Sequence, residues 1–161
     1  MTKTLSVSAI KNGTVIDHIK SGYALLIVHL FRLLDAKTQV TVGLNLPSKR
    51  LGLKDLIKIE NRVLTQDEAN EIAIFARDAT INIVRDFEVI EKVVTTIPPS
   101  IANIFLCPNT KCITHNETTE TIFSLEEQGR KVKLICNFCE NVFDRDQVKI
   151  STRSKVNYFS G

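Results

Sequence analysis

Cys107-Pro108-Asn109-Thr110-Lys111-Cys112 and, 23 residues further on, Cys136-Asn137-Phe138-Cys139 contain every cysteine of this 161-residue chain. Each pair offers two thiolates from one tight knuckle, and the spacer lets the second knuckle fold back across the first, the ligand pattern of a tetrahedral zinc ion. Four thiolates close the shell. Neither knuckle holds a His or carboxylate that would leave a position for a catalytic water, so the expectation is one structural zinc ion per chain and no metal chemistry. His115, three residues past Cys112, is expected as a solvated or hydrogen-bonded loop residue rather than a ligand. Two disulfides would need an oxidising compartment, and the stretch Met1 to Gly13 has no apolar signal region. Nor does any run approach the roughly 20 apolar residues of a membrane span, so the chain reads as cytoplasmic with no membrane partner. A thioredoxin-type dithiol at Cys136 and Cys139 would need a helix to follow. Glu140-Asn141-Val142-Phe143-Asp144 has no helical period, and Cys107 and Cys112 would be left idle.

Working outward, the segment from Ile101 onward is about 60 residues, a length at which an apolar core is marginal and a metal staple is a usual remedy. Within it Thr121-Ile122-Phe123 and Val132-Lys133-Leu134-Ile135 read as strands of a small antiparallel sheet around the ion. Before it, Thr95-Thr96-Ile97-Pro98-Pro99-Ser100 reads as a linker, because two prolines remove backbone donors. The N-terminal part alternates strands and helices. Gly13 to Ile19 begins as a β-branched strand, and Ser21 is placed to cap a helix carrying Ala24, Leu25, Ile27, Val28, Phe31 and Leu34 at helical spacing. Val40 to Leu44 alternates as a strand, Asn45-Leu46-Pro47-Ser48 reads as a turn, and Asp55 to Ile59 as another strand with Leu56 and Lys58 on one face. Thr65-Gln66-Asp67-Glu68 is a capping box ahead of Ala69, Ile72, Ala73 and Ala76. Thr80 to Val84 and Phe87 to Val94 read as two further strands. The order is βαββαβ plus one strand, so the fold class is α+β: a ferredoxin-like domain, then a small all-β, four-cysteine, zinc-ribbon-like domain.

Several stretches together resemble one family. Lys11-Asn12-Gly13-Thr14-Val15-Ile16-Asp17-His18-Ile19, Gly43-Leu44-Asn45-Leu46-Pro47-Ser48, Lys54-Asp55-Leu56-Ile57-Lys58-Ile59-Glu60-Asn61 and Cys107-Pro108-Asn109 are similar to the aspartate carbamoyltransferase regulatory chains, over about Val7 to Ile150. The resemblance implies a non-catalytic subunit in pyrimidine biosynthesis, with no catalytic residues. Residues 1–97 would bind nucleoside triphosphates (ATP, CTP, UTP) and pair with a second copy, residues 101–152 would bind zinc and dock on catalytic trimers, and residues 153–161 would be a tail. Two catalytic trimers would be bridged by three regulatory dimers. Val7, Ala9 and Ile10 match the segment whose backbone reads the base, and Asp17, His18, Lys58, Asn82, Val84, Val89 and Lys92 match the rest of the pocket. No Gly-rich phosphate loop is present, so side chains would hold the phosphates, with Lys54, Lys58, Lys92 and His18 as candidates. A single Lys on a strand is more often a solvated face. Asp17 is a stronger signal, because Asp is depleted in strands. Asn109 and Glu140 match positions that contact the catalytic chain, and Lys111 stands at a third such position where a familiar member has Asn, although Asn109 and Glu140 also suit ordinary knuckle and turn chemistry. Ser8, Phe87 and Lys111 depart from the familiar pattern.

The alternative is a zinc-ribbon nucleic-acid-binding protein. It would call for a basic ribbon, yet residues 101–161 hold eight Lys or Arg against seven Asp or Glu. The formal charge of +3 falls to about +1 once four thiolates and a divalent ion are counted. A stand-alone metalloenzyme would need an open metal position or a nucleophile beside a base, and neither is visible.

Overall fold

The computed structural model describes residues 9–35, 37–116 and 119–150. Val7, Ser8 and the tail expected over 153–161 lie outside these residues. The chain divides between Thr96 and Ile97 into two compact units.

In the first unit the elements run β1 (Gly13–Lys20), α1 (Ala24–Leu30), β2 (Val40–Ser48), β3 (Gly52–Glu60), α2 (Gln66–Phe75), β4 (Thr80–Arg85) and β5 (Glu88–Val93). The sheet order is β2-β3-β1-β4-β5, with every neighbouring pair antiparallel. Successive side chains of a strand face opposite ways, so one set packs with the helices. Ile16, Ile19, Ile57, Ile59 and Ile81 join Ala24, Ile27 and Val28 of α1 and Ala69 and Ile72 of α2 in a single apolar cluster. Gly13 opens β1 at φ +143, where an added Cβ would lie 2.0 Å from the Ile59 carbonyl oxygen, so only glycine allows β1 and β3 to approach at that point.

The α2 start is as the sequence predicts: Thr65 and Glu68 form both halves of a capping box. The α1 start is not. Its cap position is Tyr23, with no side-chain cap bond, and Ser21 instead donates to Asn45 Oδ1. The acceptor comes from 31 to 33 residues away in sequence: Asp55 Oδ2 takes the amides of Gly22 at 2.9 Å and Ala24 at 3.2 Å. The apolar stripe expected through Leu34 is also shorter: α1 ends at Leu30, Leu34 beyond it is 54% exposed, and Leu25 within it is 59% exposed. The turn expected at Asn45 to Ser48 is strand. β2 continues through it with a bulge between Gly43 and Leu46, and Asn45 takes φ 55 there while its amide donates to Asp55 Oδ1 at 3.0 Å. Because β2 is an outer strand, Pro47 interrupts no ladder on its open side.

The second unit contains β6 (Ser100–Ala102), β7 (Phe105–Leu106), β8 (Ile122–Gln128), β9 (Lys131–Cys136), β10 (Val142–Asp144) and β11 (Lys149–Ile150). Four strands form one sheet in the order β10-β9-β8-β6, and β11 pairs with β7. The β8–β9 hairpin closes over Gly129-Arg130, with Gly129 at φ 62. Phe105 and Phe123 meet edge to face at a 6.1 Å centroid separation, and with Leu134 they are fully buried, a small core for a unit of this length.

Candidate functional site

The end of β7 and the end of β9 bring the cysteines together. The four Sγ atoms lie within 4.8 Å of one another, with Cys107 to Cys139 at 3.7 Å and Cys112 to Cys136 at 3.8 Å. Those separations are far beyond a disulfide bond of about 2.05 Å. They match the roughly 3.8 Å edge of a tetrahedron of sulfurs bonded at about 2.3 Å to a central metal ion. Without a cation the thiols cannot share the site as equals. Burial pushes Cys107 and Cys136 up. Burial also acts on Cys139, but the Asn141 amide and the Asn109 side chain outweigh it and bring that thiol down to about 7; Cys112, bonded by Thr114, is likewise lowered. A divalent ion is what would let all four ionise, so the donor set fits a metal.

The knuckles are shaped by backbone bonds. In the first, the Cys112 amide donates to the Asn109 carbonyl at 3.0 Å and the Lys111 amide to Asn109 Oδ1 at 3.1 Å. In the second, the Glu140 amide donates to the Cys136 carbonyl at 2.8 Å, and Glu140 takes φ 62. Asn109 and Glu140 therefore have a structural duty at the knuckles, while the side chains of Lys111 and Glu140 point into solvent. His115 is not a ligand: its Nε2 lies 2.8 Å from the Cys107 carbonyl oxygen.

The first unit presents a different chemistry on the sheet face opposite its helices. Register places Lys58 of β3 opposite Val15 of β1, Val15 opposite Asn82 of β4, and Asn82 opposite Lys92 of β5. These four side chains form one row across four strands. Val84 follows Asn82 on the same face and pairs with Val89. Further along β1 and β3, Asp17 and Lys54 form an ion pair at 2.8 Å. His18 sits at φ 56 beside them, its amide donating to Asp17 Oδ1 at 2.6 Å and its Nδ1 lying 3.1 Å from Thr80 Oγ1. Burial pushes the Asp17 carboxyl up, but the Lys54 ammonium and the His18 amide outweigh it and hold it below the ordinary carboxylate value. Lys58 is 8% exposed, and burial holds its ammonium below the ordinary lysine value, with Asp17 acting in the opposite sense. Ala9, exposed, and Ile10, buried, lead into β1; the chain just after them is pinned to the β4–β5 turn by the Phe87 amide on the Lys11 carbonyl at 2.9 Å and the Asp86 amide on Asn12 Oδ1 at 3.1 Å.

Sequence reasoning missed Asp55. Its carboxylate is 0% exposed and takes three backbone amides, from Gly22 just before α1, Ala24 in α1 and Asn45 in β2. The signal that singled out Asp17, an Asp within a strand, was equally present at Asp55. Thr80, the partner of the His18 ring, gave no signal.

Comparison with known proteins matches each unit to a family model. Residues 5–96 match the allosteric domain of the aspartate carbamoyltransferase regulatory chain, and residues 99–149 match its metal binding domain. Among curated proteins, the regulatory chain of Chromobacterium violaceum is 47% identical over 148 residues, covering 92% of this chain and 97% of that one. That of Tolumonas auensis is 48% identical over 146 residues, covering 91% and 95%, and that of Vibrio cholerae is 46% identical over 144 residues, covering 89% and 93%. Likeness of this extent, over both units and with the four-thiolate cluster inside the second, means that the chain belongs to the aspartate carbamoyltransferase regulatory chains and is a non-catalytic subunit with an allosteric and a metal-binding domain.

Proposed function

We propose that the chain binds nucleoside triphosphates, ATP, CTP or UTP, on the open face of the first unit's sheet and relays their presence to catalytic trimers in the cytoplasm. The row of Lys58, Asn82 and Lys92, with Lys54 and His18 beside it, carries this reading. It gathers cations on one side of a sheet whose other side is packed by helices. In this reading Lys92, Lys54 and His18 hold phosphates, Lys58, Asp17 and Asn82 meet the sugar and base edge, Val84 and Val89 pack on the base, and Val7, Ala9 and Ile10 read it through backbone groups. The sheet order, β2-β3-β1-β4 with β5 added outside β4, supports a ferredoxin-like classification for this domain.

Zinc is the ion proposed for Cys107, Cys112, Cys136 and Cys139. It would supply no chemistry beyond holding the two knuckles together, so that Asn109, Lys111 and Glu140 are presented to a catalytic chain. The first unit pairs with a second copy, giving the regulatory dimers that bridge catalytic trimers. Titration calorimetry tests the nucleotide site. Lys92→Gln is expected to weaken ATP and CTP alike by roughly 10- to 100-fold, the loss of one charge-assisted contact. An unchanged affinity for both would remove Lys92 from the site.

A further inference from the structure

Two amide side chains of α2 reach the chain where it leaves β5. Gln66 Nε2 donates to the Val94 carbonyl at 2.9 Å and to Asn70 Oδ1 at 3.0 Å, and the same Asn70 oxygen accepts the Thr96 backbone amide at 2.9 Å. The two residues stand four apart and therefore share a helix face. Their mounting is firm. The helix start carries the Thr65 and Glu68 capping box, and Arg62 Nη2 ties Glu68 at 2.6 Å.

What they hold has little other support. Among the described residues β5 is an outer strand paired with β4 alone, its ladder ends with Val93 opposite Ile81, and Val94 is 81% exposed. Thr96 is also the last residue of the first unit, directly before Ile97-Pro98-Pro99. Lys92, inside β5, lies four residues upstream of Thr96 along the chain.

We propose that Gln66 and Asn70 are positioning residues of the regulatory response: they fix the exit of β5, so that a displacement imposed at Lys92 is delivered to the connector instead of dissipating in a loose strand end. This rests on the reading of Lys92 as a phosphate-binding cation. Neither residue touches the nucleotide face, since both act from the helix side.

The test uses the holoenzyme reconstituted with catalytic trimers and compares wild type with Asn70→Leu, Gln66→Met and Asn70→Asp. Three quantities are read: ATP and CTP affinity by calorimetry, the nucleotide-induced shift in aspartate half-saturation, and exchange of the Thr96 amide hydrogen. Asn70→Leu and Gln66→Met are expected to bind nucleotide within roughly twofold of wild type yet lose about half or more of the shift, with faster Thr96 exchange in Asn70→Leu. Asn70→Asp keeps the acceptor oxygen for both donors and is expected to keep the shift. Shifts of wild-type size in both the Leu and the Met variants, or an Asp variant as impaired as the Leu variant, would overturn the clamp while leaving the nucleotide site intact. A wild-type chain that binds neither nucleotide would overturn the site reading, and the clamp's role with it.

Discussion

Replacing Asp55 tests the packing logic of the first unit most directly. Its carboxylate is fully buried and accepts the amides of Gly22 at 2.9 Å, Ala24 at 3.2 Å and Asn45 at 3.0 Å. A hydrogen bond to a charged group contributes about 1.5–3 kcal/mol, and a buried donor left unmet costs about 1–3 kcal/mol. Gly22 and Asn45 are exposed residues whose amides water can reach, whereas Ala24 is fully buried. Asp55→Ala therefore strands one donor outright and returns two to solvent, for a loss on the order of 3–5 kcal/mol. Asp55→Asn keeps one carbonyl oxygen but turns an NH2 toward at least one of the amides, so about 2–3 kcal/mol is expected. Urea unfolding followed by tyrosine fluorescence and far-ultraviolet circular dichroism reads the result. With a slope of about 1–2 kcal/mol per molar for a unit of this size, the Ala variant should unfold roughly 1.5–5 M earlier, with the slope unchanged. The metal content should not move, because the cysteines belong to the other unit. A midpoint within about 0.3 M of wild type would show that the three amides re-solvate freely and that Asp55 is no bracket.

Cys112→Ser is expected to release the metal and unfold the second unit, since a four-thiolate ion contributes an apparent 10–16 kcal/mol, on the order of the whole stability of a small domain. Metal analysis and circular dichroism check this, and retention of one ion per chain would contradict it. The Asp17 carboxyl is held below its ordinary value of 3.8 by Lys54 and the His18 amide against the effect of burial. A group with a depressed folded value contributes stability above its unfolded value that is lost as pH falls through the folded one. The first unit should therefore lose this contribution below about pH 4, and Lys54→Met should raise the Asp17 value in a carboxylate NMR titration. No movement of that resonance would mean that the ion pair contributes nothing in solution.

What was legible in the sequence was what is local. The Thr65 to Glu68 box needs only four consecutive residues, and the knuckles Cys107 to Cys112 and Cys136 to Cys139 carry their spacing with them. The β-branched runs of β1, β3 and β4 declare themselves in the same way. Reading failed where the partner is remote. Ser21 looks like a cap until Asp55 arrives from another strand to take the amides, and Asn45 to Ser48 has turn composition but continues as strand because β2 is an edge strand with a bulge. The row Lys58, Val15, Asn82 and Lys92 is invisible in sequence for a related reason. It exists only once three strand registers are fixed, and a one-residue slip in any of them would scatter it across both faces.

The position of β5 on the outside of the sheet has a consequence for solubility. An open strand edge is a template on which another chain can add by hydrogen bonding, and proteins blunt such edges with charge. Between Val89 and Val94 the sequence is apolar except for Glu91 and Lys92, while Val89, Ile90 and Val94 are largely exposed. Lys92 thus guards an adhesive edge as well as facing Asn82. Because of this second duty, a polar replacement at position 92 separates ligand affinity from self-association better than truncation to alanine, which would add one more apolar side chain to that stretch of edge.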